Sequence, residues 1–79
     1  MKLTLLPILI KLIFIDSNSG EQLGGVRVET DKKIYYSDLN GVILIDQKET
    51  IKSVKYVSYQ KIGGIKLTND TTINLKSID

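Results

Sequence analysis

The segment Ile8–Ile15 reads ILIKLIFI and is apolar at both parities. Successive side chains of a strand alternate between faces. One face therefore carries Ile8, Ile10, Leu12 and Phe14, and the other Leu9, Lys11, Ile13 and Ile15. A strand with one solvated face is polar at alternate positions, but here Lys11 is the single polar residue. Two arrangements accommodate this: a central strand covered on both sides by its own fold, or a strand whose outer face meets a partner. The outer faces of a two-layer sandwich ordinarily meet water, which favours the second.

The chain has 79 residues, enough for one domain. A domain of this size buries only about 60% of its unfolded surface, and most chains this short need a staple. Cys and His are both absent, which excludes a disulfide framework, thiolate metal sites, most zinc sites and the His-based catalytic pairings. Ala is also absent, while Ile and Val together number 17, a bias toward strand. The net charge of +2 is too small to point to nucleic acid.

Met1-Lys2 and the apolar run after it look like the start of a signal peptide, with Ser17 and Ser19 as small residues for cleavage. Pro7 and Lys11 interrupt the run, Asp16 lies just before the cleavage position, and cleavage would remove the segment that reads as a core strand. Leu3–Ile15 spans 13 residues with a lysine inside, short of the ~20 a membrane-crossing helix needs. No membrane insertion is expected. The expected organisation is an apolar N-terminal arm, residues 1–7, followed by a single domain, residues 8–79.

Turn signals then recur every 8–12 residues. Asp16–Gly20, Asp31–Lys33, Asp38–Gly41, Gln47–Thr50 and Asn69–Asp70 are polar turns. Strands are expected over residues 8–15, 26–30 (Val26 and Val28 inward), 34–37, 42–45, 53–60 and 72–76 (Ile73 and Leu75 inward), with a further strand bent at Gly63-Gly64. No segment has a convincing helical period. About seven short strands with this turn spacing predict an all-β chain folded as a small β-sandwich.

The order of these motifs resembles the carboxypeptidase regulatory-like domains, small Ig-like sandwiches of the transthyretin-like type. That family runs from an apolar strand ending in Asp, through T-G-x-x-L-x-G-A-x-V-x-V and T-D-x-x-G-x-F-x-L, to V-S-Y-x-G-Y. Here Asp16 ends the first strand, and Gly20, Leu23, Gly25, Val26 and Val28 fit the second block. Ser37–Gly41 fits the third, with Ile43 at the aromatic position, and Val54–Tyr59 fits the fourth. The likeness covers residues 8–76. Leu12 and Ser58 stand where the family has Gly, and Ser19 where it has Thr. The resemblance implies a non-catalytic accessory domain, of the kind appended to peptidases and outer-membrane transporters and similar to small sandwiches on phage virions.

Three chemistries compete with an interaction role. Asp16-Ser17-Asn18-Ser19-Gly20 looks like the start of a calcium loop, but it is one residue short and Arg27 occupies the position of the closing Glu. Lys11, Asn74 and Glu29 have the residue types of an intramolecular isopeptide bond, yet by alternation all three point outward, away from the apolar setting that bond requires. The Lys/Tyr-rich stretch Lys52–Lys61 offers bases a stacking surface, but acids elsewhere dilute its charge. Asn69-Asp70-Thr71 fits the glycosylation acceptor pattern and is read as a turn. No nucleophile–base pair can be assembled, and no enzyme activity, cofactor or metal is expected.

The functional expectation is a structural subunit that docks on a larger assembly, most concretely a small accessory or decoration protein of a bacteriophage capsid, located in the virion. The expected partner-binding residues are Leu3, Leu5, Leu9, Ile13, Ile15, Val42 and Leu44. Val42 and Leu44 enter because Ile43 and Ile45 are assigned to the core. The alternatives are a secreted or envelope-associated adaptor, located in the periplasm or cell envelope, and a carbohydrate- or peptide-binding sandwich using Tyr35, Tyr36 and Tyr59 as an exposed aromatic platform.

Overall fold

A computed structural model of the chain describes residues 8–66 and 68–78. It is all-β, with six strands: β1 Leu9–Asp16, β2 Arg27–Thr30, β3 Ile34–Tyr36, β4 Val42–Asp46, β5 Ile51–Lys55 and β6 Thr71–Leu75. They form two three-stranded sheets, ordered β4-β1-β6 and β3-β2-β5. β1 is antiparallel to β4 and parallel to β6, and β2 is antiparallel to both of its neighbours.

The core lies between the sheets, and alternation decides who enters it. Ile10, Leu12 and Phe14 from β1, Ile43 and Ile45 from β4, and Ile73 and Leu75 from β6 meet Val28, Ile51 and Val54 from the other sheet. Val26 and Leu23 close one end. Leu12, at the position the resembling family gives to Gly, is fully buried. A small domain without a staple depends on such filling, since each buried aliphatic contributes ~1.5–3 kcal/mol relative to exposure.

Turn chemistry connects the layers. The Asp38 carboxylate accepts the Asn40 and Val42 amides at 2.8 and 2.9 Å. Gly41 has φ +76°, and a Cβ there would sit 2.7 Å from the Phe14 carbonyl oxygen. This close approach lets the Phe14 amide donate to the Gly41 carbonyl at 2.8 Å and joins the turn to β1.

The fifth strand differs from the expectation. It begins at Ile51 and ends at Lys55, rather than spanning 53–60. Its pairing with β2 slips so that Glu29 faces Ser53 but Thr30 faces Ile51. Lys52 is the extra residue of a β-bulge, and the bulge turns Ile51 inward together with Val54. The chain then turns at Val57-Ser58, where Ser58 takes φ +69°. The strand expected around Gly63-Gly64 is reduced to two isolated bridges on the free side of β5, Ile62 to Val54 and Ile65 to Ile51. Six regular strands result among the described residues, where about seven were expected.

Candidate functional site

The outward side of the β4-β1-β6 sheet carries the residues that alternation leaves over. Register sets Leu9 beside Asp46, Lys11 beside Leu44, and Ile13 between Val42 and Thr72, while Ile15 lies beside Asn74. Leu9 and Leu44 are 52% and 54% exposed; Ile13, Ile15 and Val42 are half-buried. Directly opposed side chains of neighbouring strands touch, and diagonal ones lie ~7–8 Å apart. Leu9, Leu44, Val42, Ile13 and Ile15 therefore form one apolar patch, while Ile8, 65% exposed just before β1, shares the parity of the inward residues and lies outside it. Leu3 and Leu5 lie outside the described residues.

The patch has a polar frame. Lys11 stands within it, exposed, so its stem can lie along the aliphatics while its ammonium stays in water. Asp46 occupies one corner, and Thr72 and Asn74 form the β6 side. The Asp70 carboxylate accepts the Lys11 amide at 2.8 Å and carries the β1–β6 ladder past its last backbone pair. The far edge of β4 is closed by turns at both ends: Asp38 donates its amide to the Val42 carbonyl at 3.1 Å, and Glu49 donates its amide to that of Asp46 at 2.9 Å. The patch itself is a side-chain surface on the face of the sheet, and β4 is the edge strand beside it.

The geometry of the described residues bears on two of the competing chemistries. The Asp16 carboxylate accepts the Asn18 and Ser19 amides at 2.7 and 2.9 Å, an Asx-type turn. Among the described residues, no three acidic side chains gather as a metal cage would need. Lys11 and Asn74 are both exposed on the β4-β1-β6 sheet, while Glu29 belongs to the other sheet. No helix among the described residues is long and apolar enough to cross a membrane.

The expected tyrosine platform does not form. Tyr35 and Tyr36 are consecutive on β3 and point to opposite faces. Tyr35 turns inward and donates its hydroxyl to Glu49. Tyr59 donates its hydroxyl to Asp16 at 2.5 Å and packs on Tyr56, ring centroids 5.3 Å apart. The turn at Val57-Ser58 brings Tyr56 and Tyr59 together despite their opposite parity in sequence.

Both phenols and the Asp16 carboxylate depart from their ordinary values. Burial, and then the Glu49 carboxylate, push the Tyr35 hydroxyl well above its ordinary value. The bond to Asp16, then desolvation, push Tyr59 up to about 12. Asp16 is held below its ordinary value, first by the Tyr59 hydroxyl and then by the Ser19 and Asn18 amides. A donor favours the charged carboxylate, an acceptor favours the neutral phenol, and burial disfavours the phenolate further.

Glu49 lies in the Gln47–Thr50 turn, as the sequence predicts, but its side chain is buried. The Thr30 hydroxyl oxygen accepts the Lys32 and Lys33 amides at 3.1 and 3.0 Å, and its proton lies within reach of Glu49 at 2.7 Å and of the Lys33 carbonyl at 3.0 Å. The only signal was the nearby Thr-x-x-Lys turn, which says nothing about a partner nineteen residues away.

No model of a known protein family matches the chain, and no curated protein matches it.

Proposed function

We propose that the chain is a non-catalytic docking subunit that joins a larger protein assembly through the outer face of its β4-β1-β6 sheet. The observation that carries this reading is the half-exposure of Leu9 and Leu44 within one registered apolar patch. Contiguous apolar surface on a small soluble domain marks a partner site. Completing the burial of Leu9 and Leu44 alone contributes roughly 1 kcal/mol each, to which Ile13, Ile15 and Val42 add. Lys11 within the patch specifies the partner further: a flat apolar protein surface with a carboxylate opposite the ammonium, since an unpaired cation would oppose burial.

The concrete form is a small accessory protein of a phage capsid, a form supported by the likeness to domains found on virions. In that motif series Ser58 replaces a Gly, and its φ of +69° is the conformation a Gly would favour. This agrees with the resemblance at the position where the side chain departs from it.

The test is fractionation of the native source by sedimentation. The chain is expected with particles, at a fixed ratio to their main protein, and Leu44→Lys is expected to release it without unfolding it. Recovery of the chain with membranes instead would favour the envelope adaptor. A free, dilute monomer present in neither fraction would overturn docking altogether.

A further inference from the structure

On the opposite side of the molecule, the outer face of the β3-β2-β5 sheet places three side chains abreast. Arg27 of β2 pairs with Tyr36 of β3 on one side and Lys55 of β5 on the other. With Gly25, Tyr56 and Val57 they line an open groove of about 430 Å³, within the ~300–1,000 Å³ range of ligand sites.

The four tyrosines divide into two pairs. Tyr35 and Tyr59 each spend their hydroxyl on a carboxylate, Glu49 and Asp16. Tyr36 and Tyr56 line the groove, and neither makes a hydroxyl bond among the described residues. Tyr36 is 64% exposed. The Tyr56 ring is braced by Tyr59, which Asp16 holds in turn. Gly25 lines the floor at φ +83°, a conformation that favours glycine, and a Cβ there would make ordinary contact with the Tyr56 ring at 3.8 Å. A pre-set aromatic wall of this kind lowers the cost of ordering a site on binding.

Charge narrows the ligand. Arg27 makes only a loose contact with Glu29, 3.7 Å, and among the described residues Lys55 has no acidic partner. Two cations in one row attract an anion, and Arg presents a fork that matches a carboxylate. A nucleic-acid strand fits poorly. Two residues further along β2 the next row carries Glu29 and Ile34. The Glu29 carboxylate, 3.7 Å from Arg27, has to yield the guanidinium to one incoming carboxylate and would repel the further phosphates of a strand. A single carboxylate on a flat ring fits the row. The shallow groove also favours a body that stays hydrated on its far side, as a sugar does when its C–H face lies on an aromatic ring.

We propose that this groove binds an acidic glycan through one hexuronic acid unit, its carboxylate on Arg27 and Lys55 and its ring on Tyr36. The surface belongs to the other sheet and does not depend on the docking face. The test is titration of the ¹⁵N-labelled chain with tetragalacturonate, a neutral galactose tetrasaccharide and an eight-nucleotide oligothymidylate. Tetragalacturonate is expected to shift the amides of Gly25, Arg27, Tyr36 and Lys55–Val57. Tyr36→Ala and Lys55→Gln should each weaken binding at least tenfold, and Lys61→Gln should leave it unchanged. Amide dispersion in the variant spectra establishes that they remain folded. Absence of shifts at these amides, equal binding of the neutral sugar, tighter binding of the oligonucleotide, or full affinity in both groove variants would each overturn the proposal.

Discussion

The Tyr59 hydroxyl donates to the Asp16 carboxylate across 43 residues of sequence, at 2.5 Å. This bond ties the turn after β5 to the end of β1, where Asp16 already organises its own turn through the Asn18 and Ser19 amides. One carboxylate thereby holds a local turn and a long-range contact together.

Its pH dependence has two sides. Asp16 titrates below its ordinary 3.8 in the folded chain, so its contribution is full above that value and is lost as pH falls through the lower folded value. Tyr59 is the reverse case. Its pKa is raised from 10.0 to about 12, so its contribution is full below pH 10 and is lost as pH rises toward 12. Tyr59→Phe should lower the urea midpoint at neutral pH and flatten its decline at both extremes. In absorbance titration it should remove one tyrosinate transition near pH 12.

Glu49 gives a larger effect because it is buried. Glu49→Ala leaves the Tyr35 hydroxyl without its acceptor and the Thr30 hydroxyl with only the Lys33 carbonyl, at 3.0 Å, and unmade bonds of buried groups cost ~1–3 kcal/mol. A loss of about 2–3 kcal/mol in chemical denaturation is expected. Tyr35→Phe should cost less, and a double-mutant cycle with Glu49→Ala should show coupling between the two, since the mutations remove one shared interaction.

Ser58 is the one non-glycine residue with positive φ among those described. The left-handed region costs an L-residue roughly 1–2 kcal/mol, partly offset by the greater freedom of glycine in the unfolded chain. Ser58→Gly should therefore stabilise the domain, by about 0.5–1 kcal/mol, read as a higher midpoint in thermal or urea unfolding.

Adjacent residues of β4 should respond in opposite ways. Ile45 is fully buried and Leu44 half-exposed. Ile45→Ala should cost roughly 2–5 kcal/mol, enough to unfold much of a domain this small. Leu44→Lys should change stability by about 0.5 kcal/mol or less while preventing association with the proposed assembly. Lys11→Glu should likewise spare the fold and weaken docking, because it reverses the charge inside the patch. Circular dichroism and co-sedimentation separate the two effects.

Alternation was legible wherever a strand was regular. ILIKLIFI assigned Ile10, Leu12 and Phe14 to one face and Leu9, Ile13 and Ile15 to the other, and the same rule separated Ile43 and Ile45 from Val42 and Leu44. The Asp38–Gly41 turn was also readable, because its residues carry the needed geometry locally. The all-β class followed from these two signals.

The bulge at Lys52, the burial of Glu49, the pairing of Tyr56 with Tyr59 and the row of Tyr36, Arg27 and Lys55 were decided only in three dimensions. A period of two records which side of its own strand a residue occupies. It does not record the neighbouring strand or where the register slips, because those depend on contacts that only the folded chain brings together.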